Sequence, residues 1–175
     1  MIKNGLSRLG TMFLYLVSLL PFWFLYLISD LLFVILYHIT GYRRKVVQEN
    51  LRNSFPEKTE EERKTIERKY FKYLADLIVE TIKTISISEK EIKRRVVFNN
   101  PELLETYFKT GKSIIAVSGH YCNWEYAALK FSAVTDKKFM IIYKPLTSSV
   151  YDEFFIKIRS RFGGLPVSMK QTMRK

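Results

Sequence analysis

Only one cysteine, Cys122, and two histidines, His38 and His120, occur in the 175-residue chain. A single cysteine excludes an intrachain disulfide and is compatible with a reducing compartment. These three side chains, with no H-E-x-x-H pattern, are too few for a standard zinc site, so neither a metal nor a cofactor is expected. Internal repeats and low-complexity segments are absent. So are an RNA-binding signature, a zinc module and helix-turn-helix spacing. The excess of 29 Lys and Arg over 17 Asp and Glu, a formal charge of +12, therefore points to anionic lipid before nucleic acid.

Basic residues are also missing from Thr11 to Ile39, where Asp30 is the only charge in 29 positions. As one straight helix this stretch would measure about 43 Å, more than the hydrocarbon thickness of a bilayer. It is too long, and lacks the small-residue cleavage site, to be a secretory signal peptide. Lys3 and Arg8 precede it and Arg43, Arg44 and Lys45 follow it, so the positive-inside rule sets no orientation. A span, a monotopic or re-entrant anchor, and a helix kinked at Pro21 all stay open. Asp30 would cost about 2.5 to 3.5 kcal/mol at a bilayer centre, which favours a shallow or partner-facing position. His38 reads as an interfacial, aromatic-like residue without a chemical role.

The rest of the chain divides into a helical region and a layered one. Residues 44–53 and 60–85 read as helices, the second with Ile66, Tyr70, Tyr73, Leu74, Leu77 and Ile78 at three-and-four spacing. Pro56 separates the two, Thr59 with Glu62 forms a capping box, and the mixed charges of residues 57–72 read as a solvated face. Beyond residue 95, short apolar runs at 96–98, 113–117 and 139–143 read as strands. They alternate with helices over 101–109, 123–133 and 148–162, a pattern of α/β layers around a mainly parallel sheet. The expected organisation is a hydrophobic membrane helix over 1–40, a helical linker over 41–94 and an α/β core over 95–175.

Chemistry concentrates in His120-Tyr-Cys-Asn-Trp-Glu125, directly after the run 113–119. A neutral imidazole near a carboxylate is the minimal apparatus for taking a proton from a hydroxyl. Residues five apart on a continuous helix lie about 140° apart. His120 is therefore expected in a turn opened by Gly119, with Glu125 in the first turn of a helix capped by Asn123 or Ser118. The competing reading is a structural histidine beside a turn.

This segment resembles the His-aromatic-Gly-Asn-Trp-Glu block of the lipid A biosynthesis acyltransferases, a branch of the wider lysophospholipid acyltransferase group with its H-x4-D/E motif. His120, Asn123, Trp124 and Glu125 match, and Tyr121 supplies the aromatic. Tyr42-Arg-Arg-Lys-Val-Val47, Asn50-Leu51 and Ser54-Phe-Pro56 are similar to the segment that follows the family's membrane helix. Tyr143-Lys-Pro145 with Arg159-Ser-Arg-Phe-Gly163 is similar to its second block. Cys122 stands where the family usually has glycine and Lys144 where arginine is common. The chain stops at Lys175, short of family members, so its α/β core is expected to be truncated at the C-terminus.

The resemblance implies a membrane-associated acyltransferase on the cytoplasmic face of the bacterial inner membrane. It would move a fatty acyl chain from an acyl carrier protein thioester to a hydroxyl of a lipid A precursor. His120 would be the general base and Glu125 would orient and stabilise it. Backbone amides after His120, with Arg159, would meet the developing oxyanion, while Lys144 and Arg161 are weaker candidates for phosphate or carboxylate contact. For Arg159 the competing reading is a solvated helical charge. Cys122 has only its proximity to suggest a nucleophile and reads as passive. Acylation of a lysophospholipid or aminolipid, and an inactive fragment that binds anionic lipid or carrier protein, are the alternatives.

Overall fold

A computed structural model describes residues 2–172 of the chain, without the side chains of residues 2–4 and 6. The Lys3 side chain and the last three positions of the expected core lie outside the described residues. The chain forms two compact units, Leu14–Lys83 and Met1–Phe13 with Thr84–Lys175. The fold is α/β: mostly helical, with an apolar N-terminal part and a small parallel sheet.

The helical unit takes in the end of α1 (Ile2–Leu19), then α2 (Phe22–Phe33), which runs into a π-helical turn over Val34–Ile39, α3 (Arg44–Ser54) and α4 (Glu60–Lys83). Pro21, extended at φ −66° and ψ 155°, separates α1 from α2, since proline cannot continue a helix but is tolerated at its start. Lys83 Nζ donates to the carbonyls of Ser18 and Leu20 at 2.8 Å each, meeting the open C-terminal end of α1. The capping box forms as read. The Thr59 amide donates to Glu62 Oε2 at 2.7 Å, and the Glu62 amide donates to Thr59 Oγ1 at 3.3 Å.

The buried stripe of α4 differs from the apolar one read in the sequence. Glu67, Phe71, Ala75 and Val79 are buried at four-residue spacing, whereas Tyr70 and Tyr73 stay exposed. Small Ala75 and Val79 let α2 approach with its buried Leu25 and Ser29. Arg44 Nε at 2.5 Å and Gln48 Nε2 at 3.1 Å donate to Glu67, which makes its burial tolerable. One charged residue of the supposed solvated face is therefore core.

The second unit holds α5 (Glu89–Arg95), α6 (Pro101–Lys109), α7 (Trp124–Val134), β1 (Phe139–Tyr143), α8 (Ser149–Ser160) and β2 (Gly164–Ser168). β1 and β2 pair in parallel with Phe139 opposite Gly164 and Tyr143 opposite Ser168, and α8 is their crossover. Its core gathers Ile87, Ile92, Tyr126, Leu129, Ile158 and Val167, and full burial of each aliphatic side chain contributes about 2 kcal/mol. Two of the expected strands do not form. Residues 96–98 and 113–117 make no strand ladder, and Ile115 and Val117 are 89% and 91% exposed. Strand propensity needs a neighbouring edge, and among the described residues only 139–143 and 164–168 supply one another with it.

Candidate active site

Asn123 starts α7 as expected. Its side-chain oxygen accepts from the Tyr126 amide at 3.2 Å, which fixes where the helix begins. Glu125 consequently lies in the first turn, and His120 in the exposed loop ahead of it. The imidazole meets Trp124 edge to face, with ring centroids 4.8 Å apart. Within this loop Cys122 adopts φ 51°. That left-handed conformation suits glycine and costs other residues roughly 1 to 2 kcal/mol, which gives a conformational sense to glycine at this place in the motif.

Glu125 is paired with Arg159, a partner 34 residues away in sequence. Arg159 Nη2 donates to Glu125 Oε1 at 2.6 Å and Nε to Oε2 at 3.3 Å, a two-pronged contact between side chains that are only 19% and 18% exposed. The guanidinium also lies 5.7 Å from the ring centroids of both Tyr143 and Phe155. Its backbone is fixed just as closely. A Cβ at Gly164 would stand 2.5 Å from the Arg159 carbonyl oxygen and 2.9 Å from both Ile141 Cδ1 and Ser132 Oγ. Glycine is thus what lets β2 turn back against the end of α8 and hold Arg159 toward α7.

The other predicted residues lie apart from this pair. His120 makes no hydrogen bond to Glu125. Arg161 donates to the carbonyls of Thr84 and Ile87, the latter at 2.6 Å, and stitches the segment before α5 to the end of α8. Desolvation draws its guanidinium below the ordinary arginine pKa without discharging it at physiological pH. Lys144 is exposed in the loop after β1. Sequence reasoning missed the Glu125–Arg159 pair, the ring contacts of Tyr143 and Phe155, and Gly164. The usable signal was that the Tyr143 and Arg159 segments fall in one motif block. Among the described residues no group of three or more His, Cys, Asp or Glu side chains could hold a metal ion.

This arrangement offers an exposed imidazole, a carboxylate in the first turn of the helix that follows, and an arginine fork that holds that carboxylate. No curated protein and no solved structure is significantly similar to the chain. The profile of the family described as bacterial lipid A biosynthesis acyltransferase, however, matches residues 1–175. The chain therefore belongs to the bacterial lipid A biosynthesis acyltransferase family.

Proposed function

We propose that the chain transfers a fatty acyl group from an acyl carrier protein thioester to a hydroxyl of a lipid A precursor at the cytoplasmic face of the inner membrane. The family supplies the coarser part, an acyltransferase with an acyl donor and a lipid acceptor. The observation that carries the mechanism is the exposed His120 ahead of α7, with Glu125 in the helix's first turn.

His120 takes the proton of the acceptor hydroxyl as that oxygen attacks the thioester carbonyl. The tetrahedral intermediate collapses with loss of the thiolate, and the imidazolium returns the proton to the sulfur. No covalent acyl-enzyme is needed. A carboxylate offers about four lone-pair positions, so Glu125 can accept from Arg159 and still accept an imidazole N–H. Arg159 holds that carboxylate in place and neutralises part of its charge. Oxyanion donors come from the Trp124 and Glu125 amides at the start of α7, since the Tyr126 amide is taken up by Asn123.

The test is acyl transfer with purified protein in detergent or vesicles. Carrier-protein and coenzyme A thioesters serve as donors, and a lipid A precursor or a lysophospholipid as acceptor. Transfer from the carrier protein to the lipid A precursor is the expected result. Preference for the lysophospholipid would overturn the acceptor assignment, and absence of transfer to either would overturn the reaction.

A further inference from the structure

Phe22–Ile39 is long and apolar enough to cross a membrane and is little buried, but α2 is not free to cross alone. Its flank is tied to α4 along an antiparallel seam of polar contacts. Tyr26 Oη donates to Glu80 at 2.9 Å and Ser29 Oγ to Asp76 at 2.5 Å. Lys72 bridges Asp30 and Asp76. The Tyr37 ring lies 5.5 Å from that of Phe71, and beyond it Arg44 contacts both Tyr37 and Glu67. On the other side, Trp23, Leu27, Leu31 and Val34 are exposed by 66%, 57%, 60% and 42%. Their spacing of four, four and three residues makes one stripe.

We infer that α2 is an in-plane anchor: the Trp23, Leu27, Leu31 and Val34 face lies in one leaflet of an anionic bilayer, with α4 on the water side. Crossing would require one of two things. Either α4 travels with α2 and carries Lys72, Asp76 and Glu80 through hydrocarbon, or the seam opens and leaves Asp30 unpaired there. Charged groups at that depth are strongly disfavoured. The in-plane arrangement keeps every contact of the seam and buries only the apolar stripe. Lipid, rather than a protein partner, fits the basic groups at the end of the anchor, Arg43, Arg44 and Lys45, and the chain's charge of +12. The inference does not depend on the acyl-transfer reading, and its test needs no activity.

The experiment places single cysteines at positions 23, 27, 31 and 34 of the full chain, in a Cys122→Ser background. Each is nitroxide-labelled, and its depth is measured in phosphatidylethanolamine–phosphatidylglycerol vesicles by collisional relaxation. All four labels should lie at one shallow depth, about 5 to 10 Å below the headgroups. Ser29→Cys with Asp76→Cys should cross-link in the same vesicles. A steady gradient from position 23 to position 34, approaching the helical rise of about 16 Å, would establish a span and overturn the inference. Labels that remain in water, or failure of the cross-link in a chain with unchanged helicity, would overturn it equally.

Discussion

The two units differ in where their best-enclosed ion pair sits. In Leu14–Lys83 one carboxylate is drawn inward: Glu67 is 2% exposed against an Arg44 that stays 40% exposed, and the uncharged Ser29 is fully buried against a half-buried Asp76. In the unit that carries the candidate site, the most enclosed ion pair among the described residues, Glu125 with Arg159, keeps about a fifth of each side chain open. Close to it in sequence, residues 111–122 are exposed throughout. A matched, enclosed pair fixes one helix against another. A pair left at a margin keeps acceptor and donor capacity for a ligand. Pairs of the same residue types thus lie between two helices in one unit and near an exposed loop in the other, and their surroundings rather than their composition distinguish them.

The strongest way to break this contrast is His120→Ala. Removing a general base should lower transfer by at least about a hundredfold while leaving helicity and membrane association unchanged. Retention of more than about a tenth of the activity by a folded variant removes His120 from the mechanism. Arg44→Ala probes the other unit. It leaves Glu67 with Gln48 as its remaining donor, and should cost about 2 kcal/mol in unfolding experiments, less than for a fully enclosed pair because Arg44 is 40% exposed. Turnover per folded molecule should not change. Arg44→Met combined with Glu67→Met should recover most of the loss, since a matched apolar pair leaves no orphaned charge. If the double variant is as unstable as the single one, packing rather than the ion pair holds that seam.

How far these features were legible in the sequence depended on their range. Thr59 with Glu62, and Asn123 with Tyr126, lie three residues apart, and local hydrogen bonding determines them. The βα alternation likewise foretold β1, α8 and parallel pairing, but not that the partner of β1 would be Gly164–Ser168. Glu67 was not legible as core, because a carboxylate in a charged stretch reads as solvated until Arg44, 23 residues earlier, is known to reach it. The runs at 96–98 and 113–117 misled for a related reason. Alternation and β-branching describe a segment that suits a sheet, whereas a strand exists only where another edge is free to bond. At the site, the positions of His120 and Glu125 relative to the start of α7 could be read locally. The pairing of Glu125 with Arg159 is a product of tertiary structure, made possible by the close approach at Gly164.

Lysine substitution sharpens the contrast between the two arginines of the second block. Arg159 grips Glu125 with both prongs of its fork, a geometry an ammonium cannot reproduce. Arg159→Lys should therefore reduce turnover about tenfold, equivalent to about 1.4 kcal/mol of barrier. Glu125→Gln should act in the same direction, and the two together should fall short of the product of the single effects because they remove one shared contact. Arg161 contacts backbone carbonyls, so Arg161→Lys should lower thermal stability slightly and turnover much less. Equal turnover losses for both lysine variants would erase the distinction between a site arginine and a structural one.

The smallest expected effect belongs to the start of α4 and follows pH. The Thr59 amide, and then its hydroxyl, donate to the Glu62 carboxylate and hold its pKa below the ordinary glutamate value. A carboxylate depressed by folding contributes stability that is present above its unfolded pKa and lost as pH falls through its folded one. Glu62→Gln should therefore weaken hydrogen-exchange protection in the first turns of α4 at neutral pH. The deficit should shrink toward zero as the solution is acidified past the carboxylate range, because wild type then loses the same charge. Comparison at matched pH cancels the titration of the other acidic groups. Glu62 is exposed, so the deficit should also diminish in high salt. A deficit that persists unchanged in acid would mean that the glutamate acts through its shape and neutral hydrogen bonding rather than its charge.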